Sequence, residues 1–365
     1  MNIEAGNRLD RHWFDSFCNN EEIERLVLPQ NGVDFLLQER ANIVADHMRY
    51  LRVFMNKARL VQNWSFEKSF SNHHYSEVLK NLTCDDKQNC QSIVYGDMFS
   101  NDVNGYAIKN PIWGRIICLN ESLQFFMKFC NLALLNFNQD VPKEIRLNSL
   151  RIAIRTMLKQ EAMDFFMDPR GSVPKDIGIK IHAPIRYELQ YIAGHEFAHH
   201  LCGHLDDKNI CQKKMLSIGR TEYFRPLYNI AQLQEFEADV ASLNRPEYST
   251  EEYSKLLEGA LIWFLSLELS ETAQDIISPT SPFSIKTHPS AQERYEHLLR
   301  NTKIPDDFNL GVINKIQDNA KWLKEALVND LSMNYELYDF YGSVYLDKPN
   351  TEWRGKELID RVDYY

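Results

Sequence analysis

Apolar residues recur at helical spacing through residues 21–70, where Ile43, His47, Tyr50, Leu51 and Phe54 share one side of a long predicted helix. Residues 71–91 turn polar, with the pair His73 and His74 and a turn at Asp85 and Asp86, which sets a boundary near residue 90. The period then changes. Segments 92–98 and 113–119 are short and rich in β-branched and aromatic residues, and the Asn-Asp-Val-Asn-Gly stretch between them predicts a small antiparallel hairpin sheet. Asn120 to Ser122 can cap a helix reaching about residue 136, and Pro142 opens another that runs to about 168. Pro184 reads as the start of the next helix, carried on by 185–202; Pro226 opens one to about 243, and Thr250 with Glu251 caps a third. The sum is an α+β chain, mostly helical. Three regions follow: a helical 1–90, a core at 91–300, and a helical, aromatic-rich 301–365.

Composition narrows the function. Forty-one basic against fifty-one acidic residues leave a net charge of −10, which opposes approach to phosphate backbones and anionic lipid. Neither nucleic acid nor membrane is expected as a partner. The longest apolar run, 259–267, is about half the ~20 residues of a membrane span and reads as a buried helix. Seven cysteines without a CxxC pair, and a beginning without a basic and then apolar leader, point to a reducing, cytoplasmic setting.

The chemistry is concentrated in His195-Glu-Phe-Ala-His199, an HExxH motif. On a helix the i, i+4 spacing turns both imidazoles to one face, about 40° apart, where they can hold one ion. Glu196 then lies beside that ion, placed to take a proton from a water the ion has acidified and to pass it to a leaving amine. A catalytic zinc site takes three protein ligands and keeps a fourth position open, so one ligand is still to be found. The metzincin pattern does not supply it, because the required Gly and His positions hold Cys202 and Leu205. His204 falls about 180° round an uninterrupted helix from His195 and reads as a structural or hydrogen-bonding residue; His200 also points off the ligand face. In Glu235-Phe-Glu-Ala-Asp239, Glu235 and Asp239 share a helix face and Ala238 permits close approach of a second helix. Glu235 is the expected third ligand, ahead of Glu237, and Asp239 the expected acceptor for a ligating histidine's other N–H. Cys202 reads as a packed thiol, and no GxSxG elbow supports serine catalysis.

Three motifs in order, GHEFAHHLCGH, QEFEADVASL and Thr287-His-Pro-Ser-Ala-Gln-Glu-Arg294, resemble those of the HtpX-type gluzincin metallopeptidases. They look closer still to the Lit-like bacterial phage-exclusion peptidases, with HExxHxxxxH, ExxAD and THPxAxxR over residues 113–300. The resemblance implies a zincin-like catalytic core with one zinc on His195, His199 and Glu235, a general base at Glu196 and a supporting Asp239. It also implies catalytic roles for His288 and Arg294, as groups that stabilise an oxyanion. The membrane helices usual in HtpX-type enzymes are absent from this sequence.

The expected function is therefore a zinc-dependent endopeptidase acting on an intracellular protein or peptide, with a role in phage defence. Segment 113–119 is the strand expected to receive an extended substrate at its edge, and the terminal regions are the candidates for contact with a regulatory partner. The rival is a non-catalytic, zinc-stabilised binding or sensor protein, in which His204, His288 or Glu237 closes the coordination sphere.

Overall fold

The computed structural model describes residues 13–137, 140–205, 224–279, 288–346 and 353. Cys211, Thr287 and most of the aromatic stretch after Leu346 lie outside them. Helix accounts for 64% of the described residues, beside one three-stranded sheet.

The long helix expected through Ile43 and Phe54 is interrupted at Asp46 and His47, and residues 20–60 form three helices: α1 (Asn20–Val27), α2 (Gly32–Ala45) and α3 (Met48–Leu60). Pro29 breaks the first join, and the first two helices carry side-chain caps. Asn19 and Glu22 form a capping box, Asn31 accepts from the Val33 and Asp34 amides, and His47 sits at the N-cap of α3 with its ring stacked on Tyr50. Helices α4 (His73–Asn81) and α5 (Cys84–Cys90) lead into the sheet.

The sheet is mixed, which corrects the expected antiparallel hairpin. β1 (Ile93–Tyr95) runs parallel to β3 (Gly114–Leu119), Ile93 opposite Arg115 and Tyr95 opposite Ile117. The hairpin is made instead by β2 (Gly105–Asn110) and β3, turning at Gly114 with φ +80°. Its strand order β1-β3-β2 makes β3 central and β2 an edge, so segment 113–119 is not the free edge it was expected to be. β2 escaped the pattern because its sequence, GYAIKN, does not alternate and none of its residues is buried.

After the sheet come α6 (Ser122–Leu134), α7 (Lys143–Met157), α8 (Lys175–Leu201), α9 (Phe224–Asn244), α10 (Thr250–Ile277), α11 (Ala291–Asn301) and α12 (Leu310–Met333). Helix α7 stops eleven residues short of the expected 168, because Lys159 takes φ +62° and the chain folds back on itself. There the carboxylate of Glu161, wholly buried, accepts from Arg155 at 2.9 Å and Arg170 at 2.7 Å. The segment 342–346 straps across this network: Ala162 N–H donates to Gly342 O, Leu346 N–H to Arg170 O, and Tyr345 to Asp168.

Helix α8 begins at Lys175 and runs through Pro184, where a start was expected. Ile177, Ile181 and Ile185 bury one stripe across the proline, and Asn131 donates to the Ile181 carbonyl in the turn that the ring perturbs. Packing outweighs the local signal. The second half of α8 lies against β2, β3, α9 and α10, and one hydrophobic core extends from Phe14 to Trp353, with the α10 residues Leu256–Leu265 inside it. Among the described residues no helix is long and apolar enough to cross a membrane, and the six cysteines are free thiols.

Candidate metal centre

Two helices make the centre, and a glycine sets their spacing. A Cβ on Gly194 would stand 3.3 Å from Ser242 Cβ and O, a tight contact that would press α9 away from the α8 backbone by a few tenths of an ångström. Glu235 and Asp239 lie one to two turns before Ser242 and are thereby brought over His195 and His199. Ala238 between them is wholly buried.

The three expected ligands meet. His195 Nε2 and His199 Nε2 are 3.0 Å apart, and Glu235 carboxylate oxygens lie 3.4 Å from the first and 3.6 Å from the second. Ligand atoms set tetrahedrally at zinc bond lengths stand about 3.3 Å from one another, so these separations suit one such ion. Protonation tells the same story. Burial opposes a charge on His195, yet Asp239 and Glu235 outweigh it and push the imidazole up to about 10. Burial and the adjacent His195 pull His199 down to about 3. Glu235 stays well below the usual carboxylate range despite its burial, held there by His195, His288 and Arg294. The two carboxylates favour positive charge on His195, and His199 is already free of its proton. His195, His199 and Glu235 thus form a cluster able to bind a metal ion.

Asp239 occupies the position expected of it. Its Oδ1 is 2.9 Å from His195 Nδ1, and it accepts from Arg294 Nε at 2.8 Å, Arg294 Nη2 at 2.6 Å and Tyr191 Oη at 3.0 Å. With Nδ1 turned to Asp239, His195 presents Nε2 to the ion site, where a bound metal would take the place of the ring's second proton. Arg294 therefore spends Nε and Nη2 on Asp239, with Nη1 3.6 Å from Glu235, and lines the cleft beside the site. His288 is exposed, its Nδ1 3.4 Å from Glu235 Oε1, on the rim of the cleft. Tyr191, read from sequence only as an apolar flank, was the missed member: its hydroxyl lies on the ligand face one turn before His195.

Glu237 is not at the ion site. Its carboxylate lies 3.2 Å from His204 Nε2, and His204 Nδ1 lies 2.9 Å from His199 Nδ1. His204 is placed there by the end of the helix. Gly203 takes φ +71°, its N–H donates to His200 O, and the His204 N–H donates to His199 O, a Schellman turn. The turn swings His204 back onto the ligand face, whereas an uninterrupted helix would carry it to the far side. His200 is buried away from the cluster, near Arg115 and the Ile116 backbone.

Glu196 lies on the cleft side of the cluster, facing the cleft beside Gly105 and Ala107, and burial lifts its carboxyl to about 7. Gly105 leaves room for it, since a Cβ there would come 2.9 Å from Glu196 Oε1. The cleft itself encloses about 940 Å3, with Val103, Met157, Ile192, Trp263 and Leu267 along its apolar wall and β2 along one side. That volume is at the upper end of the ~300–1,000 Å3 typical of ligand clefts and admits a short stretch of peptide. No family model, curated protein or solved structure matches the chain.

Proposed function

We propose that the chain is a zinc-dependent endopeptidase of gluzincin type with a zincin-like core. The observation that carries this reading is the convergence of His195, His199 and Glu235 on one point beside a carboxyl, Glu196, that faces an open cleft. Structural zinc sites are closed by four protein ligands; here three converge and the remaining side opens to the cleft. A zinc ion held by these residues supplies Lewis acidity at the scissile carbonyl and acidifies water.

The chain's own groups do the rest. Glu196, poised near neutrality, takes a proton from the attacking water and returns it to the leaving nitrogen. Asp239 and Glu235 fix the charge and orientation of the ligands, and Arg294 keeps both carboxylates ionised. His288, on the rim, supplies a donor toward the oxyanion. An extended substrate adds to the β2 edge, whose residues Gly105–Ala107 line the cleft. The motif resemblance extends the proposal to an intracellular host protein as substrate and to phage exclusion as the setting.

Metal content and peptidase assays on untagged protein test it together. The reading expects about one zinc per chain, none in His195→Ala or Glu235→Ala, and a retained metal with a ~10²- to 10⁴-fold loss of hydrolysis in Glu196→Gln. No metal in the wild type refutes the centre; bound metal with cleavage indifferent to Glu196 refutes the mechanism and leaves the binding-protein reading.

A further inference from the structure

The contact between His199 and His204 demands an account that peptide hydrolysis alone does not give. Two imidazole Nδ1 atoms stand 2.9 Å apart, so one of them carries a proton and the other a lone pair. The order is fixed at both ends. At one end His199 Nε2 turns its lone pair toward His195 and Glu235, so in the neutral ring the proton sits on Nδ1 and is donated to His204. At the other end His204, accepting at Nδ1, carries its own proton on Nε2, 3.2 Å from the Glu237 carboxylate. The Cys202 thiol lies within 4.8 Å of this carboxylate.

From this chain we infer that His204 and Glu237 are positioning residues, which hold His199 in the tautomer and orientation that present Nε2 to the metal. The inference rests on the metal-centre reading above. It gives each ligating histidine a carboxylate-backed partner. Asp239 serves His195 directly, whereas Glu237 serves His199 through a second imidazole. The Schellman turn supplies the geometry: the residue whose N–H closes the His199 carbonyl is the same residue whose ring meets the His199 side chain. Glu237, 62% exposed, ties the chain to the protein surface, while His204 is buried.

The same residues suggest a rival, since Cys202, His204 and Glu237 lie close enough to share a metal of their own. Proton counting weighs against it. A metal on His204 Nε2 would move that ring's proton to Nδ1, directly opposite the Nδ1–H of a metal-bound His199, and two donors would face each other at 2.9 Å. One metal per chain is compatible with the hydrogen-bonded chain; two on neutral imidazoles are not.

The test uses the full-length protein. Zinc affinity by chelator competition is expected to fall about 10- to 100-fold in His204→Phe, the range for lost partners of ligating histidines. His204→Asn, which places an amide oxygen near the Nδ1 position, should recover most of that loss, and this rescue separates positioning from a merely structural effect. Long-range proton–nitrogen spectra of histidine-labelled wild type should show His199 protonated at Nδ1 and His204 at Nε2. The spectra can be recorded on chelator-treated protein, so they decide the arrangement even if the chain were to bind no zinc and the peptidase reading failed. Unchanged zinc affinity in His204→Phe, or a His204 proton on Nδ1, overturns the inference. So do two cobalt equivalents with a thiolate-to-cobalt charge-transfer band that Cys202→Ser abolishes, because the His195, His199 and Glu235 cluster contains no thiol.

Discussion

Replacing Asp239 with asparagine tests the buried charge on which the centre stands. The side chain is wholly buried, and each of its four contacts is to a donor: two from Arg294 at 2.8 and 2.6 Å, one from Tyr191 at 3.0 Å and one to His195 Nδ1 at 2.9 Å. Asparagine keeps the volume but offers a single acceptor oxygen, and its amide meets donors whichever way it is turned. The guanidinium of Arg294 then loses its main counter-charge inside the protein. Breaking one partner of a buried ion pair costs about 3–5 kcal/mol. For a chain of 365 residues, at ~2.1 cal/mol/K of unfolding entropy per residue, that is roughly 4–7 °C in Tm. Calorimetry on chelator-treated protein isolates this term from metal binding. Zinc competition on the same variant should show a separate ~10- to 100-fold loss of affinity, because His195 has lost the acceptor for Nδ1–H. Arg294→Met added to Asp239→Asn removes the stranded cation, so the double variant should melt above the single one. A Tm within about 1 °C of wild type, with unchanged zinc affinity, would refute the argument.

Two further outcomes follow from close contacts and from burial. Gly105→Ala brings a Cβ 2.6 Å from Leu119 Cδ2 and 2.9 Å from Glu196 Oε1, so it should lower kcat by displacing the base while zinc content stays at the wild-type level; loss of metal would show that the change spreads into the ligands. Glu188 is buried two turns before His195, and burial pushes its carboxyl up to about 8 against the opposing pull of the neighbouring Asn131. The folded state therefore holds this proton more tightly than the unfolded chain, whose carboxyl titrates near 4.3, and the contribution to stability is lost as pH rises toward 8, by up to about 1.4 kcal/mol per unit. Glu188→Gln should accordingly gain on the wild type between pH 5 and 8 in melting experiments, and a pH-independent difference would show that the carboxyl is ionised in the fold.

The centre was legible in the sequence where one element fixed the geometry. His195, Glu196 and His199 follow from helix periodicity, and Glu235 and Asp239 from a second helix of the same period. Residues set by a change of backbone direction were not legible. His204 looked remote because nine positions along an unbroken helix end on the far side, and the reversal depends on one positive φ at Gly203. β2 borders the cleft as an edge strand with little buried surface, so its sequence bears almost no alternation. Pro184 and the early end of α7 misled for the opposite reason: a stripe of isoleucines and a buried ion network outweighed local punctuation.

That ion network has a bearing on time as well as on space. Arg155 donates to the carbonyl of Leu337, 182 positions further along, and the strap at 342–346 closes over Glu161 and Arg170. At translation speeds of about 5–20 residues per second, the arginines leave the ribosome roughly 9–36 s before the residues that cover them. For that interval the loop leading into α8 has charges to bury and no lid to bury them under. The helix bearing His195 and His199 can form early, but its entry segment cannot settle until the strap arrives. The polypeptide thus carries a clock: the loop that leads into α8 is closed only after nearly all of the described chain has been made.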